Sequence, residues 1–403
     1  MKSSKRLTNN LLLGTASSAH QIEGDNIYNN WHKKEIMLEK VEDSGKAING
    51  YEMYQTDRKI MQSLGCNAYR FSIEWSRINP TEGVYKDLQI DHYNKVIADL
   101  IDNGITPIIT LHHFTNPIWF AEKGGWLVKE NVDYFISYLD YLLPRLDKRA
   151  EYFITINEPN IYTASQYIAK AWYPYQFNLL KASKKYHNLL RGHKLAYKTI
   201  KKYFPESKVS YATNHIVINP IKNLFYPINY LLISIAKYLV NDYFLNRAQS
   251  TSDYIALNFY GLVYAGITKK GLDVFPDLKK IFTNTGASSF KYFPAETIII
   301  ALDEVKKYGK NILITENGLL TSEDKEREEF LKVVFKALKE WNRKNKILMG
   351  YLHWTLIDNY EWELGYKAQY GLYSINKDTF ERIPKPSAKV FKQLVTYLKS
   401  IAF

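Results

Sequence analysis

Eight short runs of β-branched, aromatic and leucine residues recur along the chain, and most of the gaps between them are long enough for a helix. The runs are Leu11–Thr15, Ala68–Glu74, Thr106–His112, Tyr152–Asn157, Lys208–Asn214, Tyr254–Phe259, Asn311–Glu316 and Ile347–Trp354. Their length and composition predict strands. The intervening stretches carry helix signals. Tyr51–Leu64 stops at Gly65, and Leu88–Asp102 stops before Gly104. Asn131–Leu146, Lys181–Tyr203, Pro294–Tyr308 and Glu323–Asn342 continue the alternation, and Ser387–Ser400 follows Pro384 and Pro386. Strands alternating with helices predict a parallel sheet covered on both faces, which explains unbroken apolar runs. Eight such units in 403 residues fit a single (β/α)8 barrel over residues 1–403. The rival, an open doubly wound sheet, lacks its phosphate-binding signature: no GxGxxG or GxxxxGK[ST] follows any run.

Composition removes several function classes. The lone cysteine, Cys66, excludes an intramolecular disulfide and argues against a cysteine-based zinc site. The formal charge is +13, but the lysines are scattered in pairs such as Lys33-Lys34 and Lys201-Lys202. Without a basic block, nucleic acid is not an expected partner. The N-terminal MKSSKRLTNNLLLGTASSA imitates a signal peptide, yet its apolar stretch is only Leu11–Leu13. No apolar run approaches the roughly 18 residues of a membrane span. A cytoplasmic location follows as the expectation. Residues 217–245 are the least regular part: Pro220 and Pro227 precede INYLLISIAKYLVNDYFL. The plain expectation is helix five packed on the barrel. The alternative is an interfacial helix giving peripheral membrane or partner contact.

Barrel sites lie at the carboxyl ends of the strands. The polar residues there are Arg70 and Glu74, His112 and His113, Asn157 and Glu158, Asn258 and Tyr260, Glu316, and His353 with Trp354. Glu158 and Glu316 each end a β-rich apolar run, where a carboxylate is costly unless exposed or paired. A carboxylate pair across a cleft is the machinery of glycoside hydrolysis, although two unrelated strand caps would read the same. The nine histidines form no HExxH, and neighbours such as His112 and His113 point to opposite faces. No GxSxG supports a serine hydrolase. No metal and no cofactor are expected.

Seven segments in order, LLGTASSAHQIEG, AYRFSIEWSRINP, TLHHFTNP, TINEP, LNFYG, ITENG and HWTLIDNYEWELGY, resemble the signatures of glycoside hydrolase family 1. TLHHFTNP and the short length look most similar to compact archaeal β-glucosidases described as membrane-associated. The resemblance implies a retaining β-glycosidase on a (β/α)8 barrel, acting on a small-molecule β-glycoside or oligosaccharide. It implies Glu158 as acid/base and Glu316 as nucleophile, supported by Arg70, Asn258 and Tyr260. Retention implies carboxyls roughly 5–5.5 Å apart. Gln21, His113, Asn157, Trp354, Glu361, Trp362 and Tyr370 match substrate-binding positions.

Three departures qualify the match. Phe114 stands where many relatives have tryptophan, and Phe290 and Lys291 lie near an expected aglycone-side tryptophan. Tyr370 resembles the 6-phospho-β-glycosidase branch, which has serine at the Glu361 position and lysine at the Ala368 position. Glu361 would repel a phosphate dianion, so a neutral glycone is expected, with glucose preferred and galactose or fucose as side activities. A 6-phospho-β-glucosidase and a non-catalytic sugar-binding barrel are the alternatives.

Overall fold

The computed structural model describes residues 11–38, 42–269, 271–275 and 295–400. Eight parallel strands close into one barrel. They are β1 (Leu12–Ala16), β2 (Ala68–Ser72), β3 (Thr106–Thr110), β4 (Tyr152–Asn157), β5 (Lys208–Asn214), β6 (Ile255–Asn258), β7 (Ile312–Asn317) and β8 (Leu348–His353). Each pairs with its neighbour in sequence, and β1 pairs with β8. The expected (β/α)8 architecture is therefore the observed one.

One residue from each strand fills the barrel interior: Ala16, Ala68, Ile108, Ile154, Ala212, Ala256, Leu313 and Leu352. Four of these are alanines, so the interior is closed by small side chains and roofed by Trp354, Ala368 and Tyr370. The larger core lies between the strands' outer faces and the helices. The helix Asp324–Asn345 turns Phe330, Leu331, Val334, Phe335, Leu338 and Trp341 inward. That spacing is the apolar stripe of an amphipathic helix.

Two nine-residue helices escaped the sequence reading, Asn30–Leu38 and Pro159–Tyr167, as did the short Ala19–Ile22, Trp75–Ile78 and Ile118–Glu122. Pro159–Tyr167 begins directly after Glu158, with proline in its first turn where no backbone N–H is needed. The expectation of one helix five over 217–245 is corrected. Val217–Pro220 is a strand, parallel to Leu262–Thr268, which is antiparallel to Gly271–Phe275. The helix Tyr226–Lys237 packs on this small sheet rather than on the barrel. Asn229 explains how: its side chain accepts from Ile267 N and donates to the carbonyls of Ile221 and Ile267. The shorter helix Tyr243–Ala248 buries Phe244 and Leu245 in the main core. Among the described residues no helix is long and apolar enough to cross a membrane.

Closure of the barrel constrains Gly14. A Cβ there would lie 1.7 Å from the carbonyl oxygen of Ala68 on the paired strand. Gly14→Ala should lower stability by about 3 kcal/mol or more, because backbone rather than a side chain must move. Thermal unfolding checks this; an unchanged midpoint would contradict it.

Candidate active site

The strand ends converge as the alternation predicts. Arg70, fully buried on β2, sits at the centre. Its Nε donates to Thr110 Oγ1 at 3.0 Å, its Nη2 to Asn157 Oδ1 at 2.7 Å and its Nη1 to Glu316 Oε1 at 2.5 Å. Tyr260 donates its hydroxyl to the other Glu316 oxygen at 2.8 Å. Glu316 thus has a cation on one oxygen and a phenol on the other.

Glu158 is held differently. Its Oε1 accepts from Asn258 Nδ2 at 2.8 Å and from Asn214 Nδ2 at 3.0 Å. No Lys, Arg or His side chain bonds to it among the described residues. Burial, then the neighbouring Glu316 charge, pushes Glu158 up to about 8. Burial also raises Glu316, while Arg70 and Tyr260 pull it back down. The pair is therefore biased toward a proton on Glu158 and charge on Glu316.

These groups face one cleft at the carboxyl ends of the strands. Gln21, His113, Asn157, Glu158, Tyr260, Glu316, Trp354, Glu361 and Trp362 line it. Arg70 and Asn258 lie beneath the wall, fully buried. Tyr370 does not line the cleft: it belongs to the inner roof and meets the Tyr260 ring edge-on at 6.1 Å. Phe290 and Lys291 lie outside the described residues. Gln21 Nε2 donates to Glu361 Oε2 at 2.8 Å, and burial pushes Glu361 up to about 8. His112 and His113 part as expected. His112 bonds Asn116 behind the wall, and His113 faces the cleft with its Nε2 3.1 Å from Asn157 Nδ2.

Sequence reasoning missed Asn214 and Trp172. Asn214 ends the fifth run as Asn157 ends the fourth, so the strand-end rule could have found it. Trp172 lies on a loop with no periodic signal. Phe114, Glu158 and Trp362 take φ of 69°, 40° and 46°. Such left-handed backbone costs non-glycine residues about 1–3 kcal/mol each and gathers at functional sites. His32, Glu35 and Asp43 bring possible metal-ligand atoms within 4.8 Å of one another, but none of them lines the cleft.

Two buried carboxyls, held by different partners and facing one cleft, fit the class of a glycoside hydrolase. The chain belongs to glycosyl hydrolase family 1, whose model matches residues 3–254 and 249–399. A β-glycosidase from Pyrococcus horikoshii is 33% identical and superposes with a TM-score of 0.87 over 96% of this chain and 93% of that one. β-Glucosidase A of Thermotoga maritima is 28% identical over 445 residues, 97% of this chain and 98% of its own. The Thermotoga maritima β-glucosidase solved with glucoimidazole superposes at 0.83 with 25% identity, covering 96% of this chain and 98% of that one.

The raised carboxyls carry a stability consequence. Glu158 and Glu361 keep protons in the fold that the unfolded chain releases above its ordinary carboxyl range. Stability should therefore fall as pH rises from about 4.5 toward 8. Glu158→Gln and Glu361→Gln should each unfold at higher temperature than the parent at pH 8 and gain less at pH 5. Equal gains at both values would contradict the buried-proton account.

Proposed function

We propose that the protein is a retaining exo-β-glucosidase, with Glu316 as nucleophile and Glu158 as acid/base. The observation that carries this reading is the asymmetry of the pair: Arg70 and Tyr260 hold Glu316, whereas two neutral amides hold Glu158. In the first step the proton on Glu158 goes to the glycosidic oxygen. A lone pair of Glu316 forms the ester bond to the anomeric carbon as the bond to the leaving oxygen breaks. In the second, Glu158, now ionised, takes a proton from water, whose oxygen displaces Glu316. Glu361, with Gln21, offers a carboxyl to sugar hydroxyls, and Asn157 is in position for the 2-hydroxyl. The domain reading stays as one catalytic barrel.

A neutral glycone is favoured over a phosphorylated one. No lysine or arginine lines the cleft among the described residues, whereas Glu316, the carboxyl biased toward its charged form, does. Lys367 is exposed and lies near Glu42 instead. Glucose is the preferred glycone, with galactose and fucose as side activities. Nitrophenyl β-glucoside should be hydrolysed faster than its 6-phosphate. Glu316→Ala should lose at least about a thousandfold in kcat, as loss of a nucleophile does, and azide should restore turnover with an α-glucosyl azide product. Retained activity in the variant, or faster release from the phosphorylated sugar, would contradict the reading.

A second reading concerns the surface. The helix Tyr226–Lys237 buries only Asn229 and Ile233. Ile228, Tyr230, Leu231, Ile235 and the following Leu239 are each more than half exposed. The segment 217–245 carries Lys222 and Lys237, with Arg247 just beyond it, against Asp242; Lys237 is paired to Glu304, and the chain has a net charge of +13. An apolar face beside positive charge suits peripheral contact with an anionic lipid surface. The protein should float with vesicles containing anionic phospholipid, and Leu231→Ser with Ile235→Ser should weaken flotation. Absence of flotation in the parent would sink this reading.

A further inference from the structure

Strand register sets Asn214 beside Asn258, since the two are paired positions on β5 and β6. The Asn258 amide has a fixed orientation: its Oδ1 accepts from Thr315 Oγ1 at 2.7 Å, leaving Nδ2 to donate to Glu158 Oε1. A proton on Oε1 would face that N–H. Asn214 Nδ2 donates to the same oxygen at 3.0 Å. Oε2 receives no hydrogen bond from the described residues, and Glu158 lines the cleft. We propose that Asn214 is a positioning residue for the acid step: by saturating Oε1 together with Asn258, it reserves Oε2 for the proton passed to the leaving oxygen.

The turn that carries Asn214 is anchored for this role. Its carbonyl accepts from Asn160 Nδ2 at 2.6 Å, and the next backbone N–H, of His215, donates to Asn258 O at 3.0 Å. The His215 ring points away to Glu304 Oε2 at 2.7 Å, whose other oxygen accepts from Lys237 at 2.8 Å. Asn214 therefore approaches Glu158 from a braced strand end rather than from a free loop. The other groups that act on Glu158 are Glu316 and Arg70, with the Tyr260 and Tyr370 phenols nearby.

The inference rests on the assignment of Glu158 as the acid, and the test separates the two. Asn214→Leu removes the donor while keeping the same number and branching of side-chain heavy atoms, and Asn214→Ser keeps a hydroxyl donor. The readout is kcat/KM for an alkyl β-glucoside, whose departure needs a proton, and for 2,4-dinitrophenyl β-glucoside, whose departure does not. A hydrogen bond to a charged group is worth enough for Asn214→Leu to lose about tenfold on the alkyl substrate and under about twofold on the activated one. Because the lost N–H stabilised the ionised carboxyl, the basic limb of the pH profile should move to higher pH. Asn214→Ser should recover part of both effects. Equal losses on both substrates, or an unmoved basic limb, would overturn the proposal. Glu158→Ala is the control: if it shows no leaving-group split, the acid assignment fails, and the Asn214 proposal falls with it.

Discussion

The guanidinium of Arg70, buried at the centre of the barrel, is the interaction on which the site depends. Two adjacent carboxyls in a dry cleft cannot both ionise without a counter-charge. Arg70 bonds Glu316 directly and makes no hydrogen bond to Glu158, where its charge is outweighed by burial and by Glu316, and that difference biases the two carboxyls apart. A buried guanidinium is itself costly unless its donors are paired. Here the partners come from four other strands: Thr110 of β3, Asn157 of β4, Asn258 of β6, and Thr315 and Glu316 of β7. Only a closed sheet with its strand ends in register brings five strands to one side chain.

Below that convergence lies the packed interior of the barrel. Eight strands set the width of the barrel, and the alanines on β1, β2, β5 and β6 are the small side chains that fit inside it. The site itself is unfavourable for stability. It holds carboxyls that burial keeps protonated, and left-handed backbone at Phe114, Glu158 and Trp362. The surrounding helices offset these costs. A fully buried phenylalanine or leucine contributes roughly 1.5–3 kcal/mol relative to an exposed one, and the core between strands and helices contains dozens of buried apolar side chains.

Much of this was legible in the sequence. All eight strands lie within a residue or a few of the predicted runs, because a sheet buried on both faces imposes continuous apolar segments. Glu158 and Glu316 were visible as carboxylates at the ends of such segments. What was not legible depends on register and on loops. Asn214 stands at a predicted strand end, so its place was legible, but its aim at Glu158 comes from the pairing opposite Asn258. Tyr370 matched a substrate-binding position, yet its loop packs it in the inner roof with Trp354 and Ala368, edge-on to Tyr260. The segment 217–245 misled for a related reason: a four-residue strand paired with Leu262–Thr268 is a long-range contact that local periodicity does not encode. The exposed apolar face of Tyr226–Lys237 became apparent only once the small sheet covered its other side.

The central claim is that Glu316 is the anion that attacks the sugar while Glu158 holds the proton. Trapping tests it most directly. A 2-deoxy-2-fluoro-β-glucoside with a dinitrophenyl leaving group slows the second step more than the first, so the glycosyl ester accumulates. Peptide mass spectrometry should find one fluoroglucosyl group per chain, on Glu316, and none when Glu316→Ala is treated alike. A label on Glu158, or inactivation with no covalent adduct, would contradict the account.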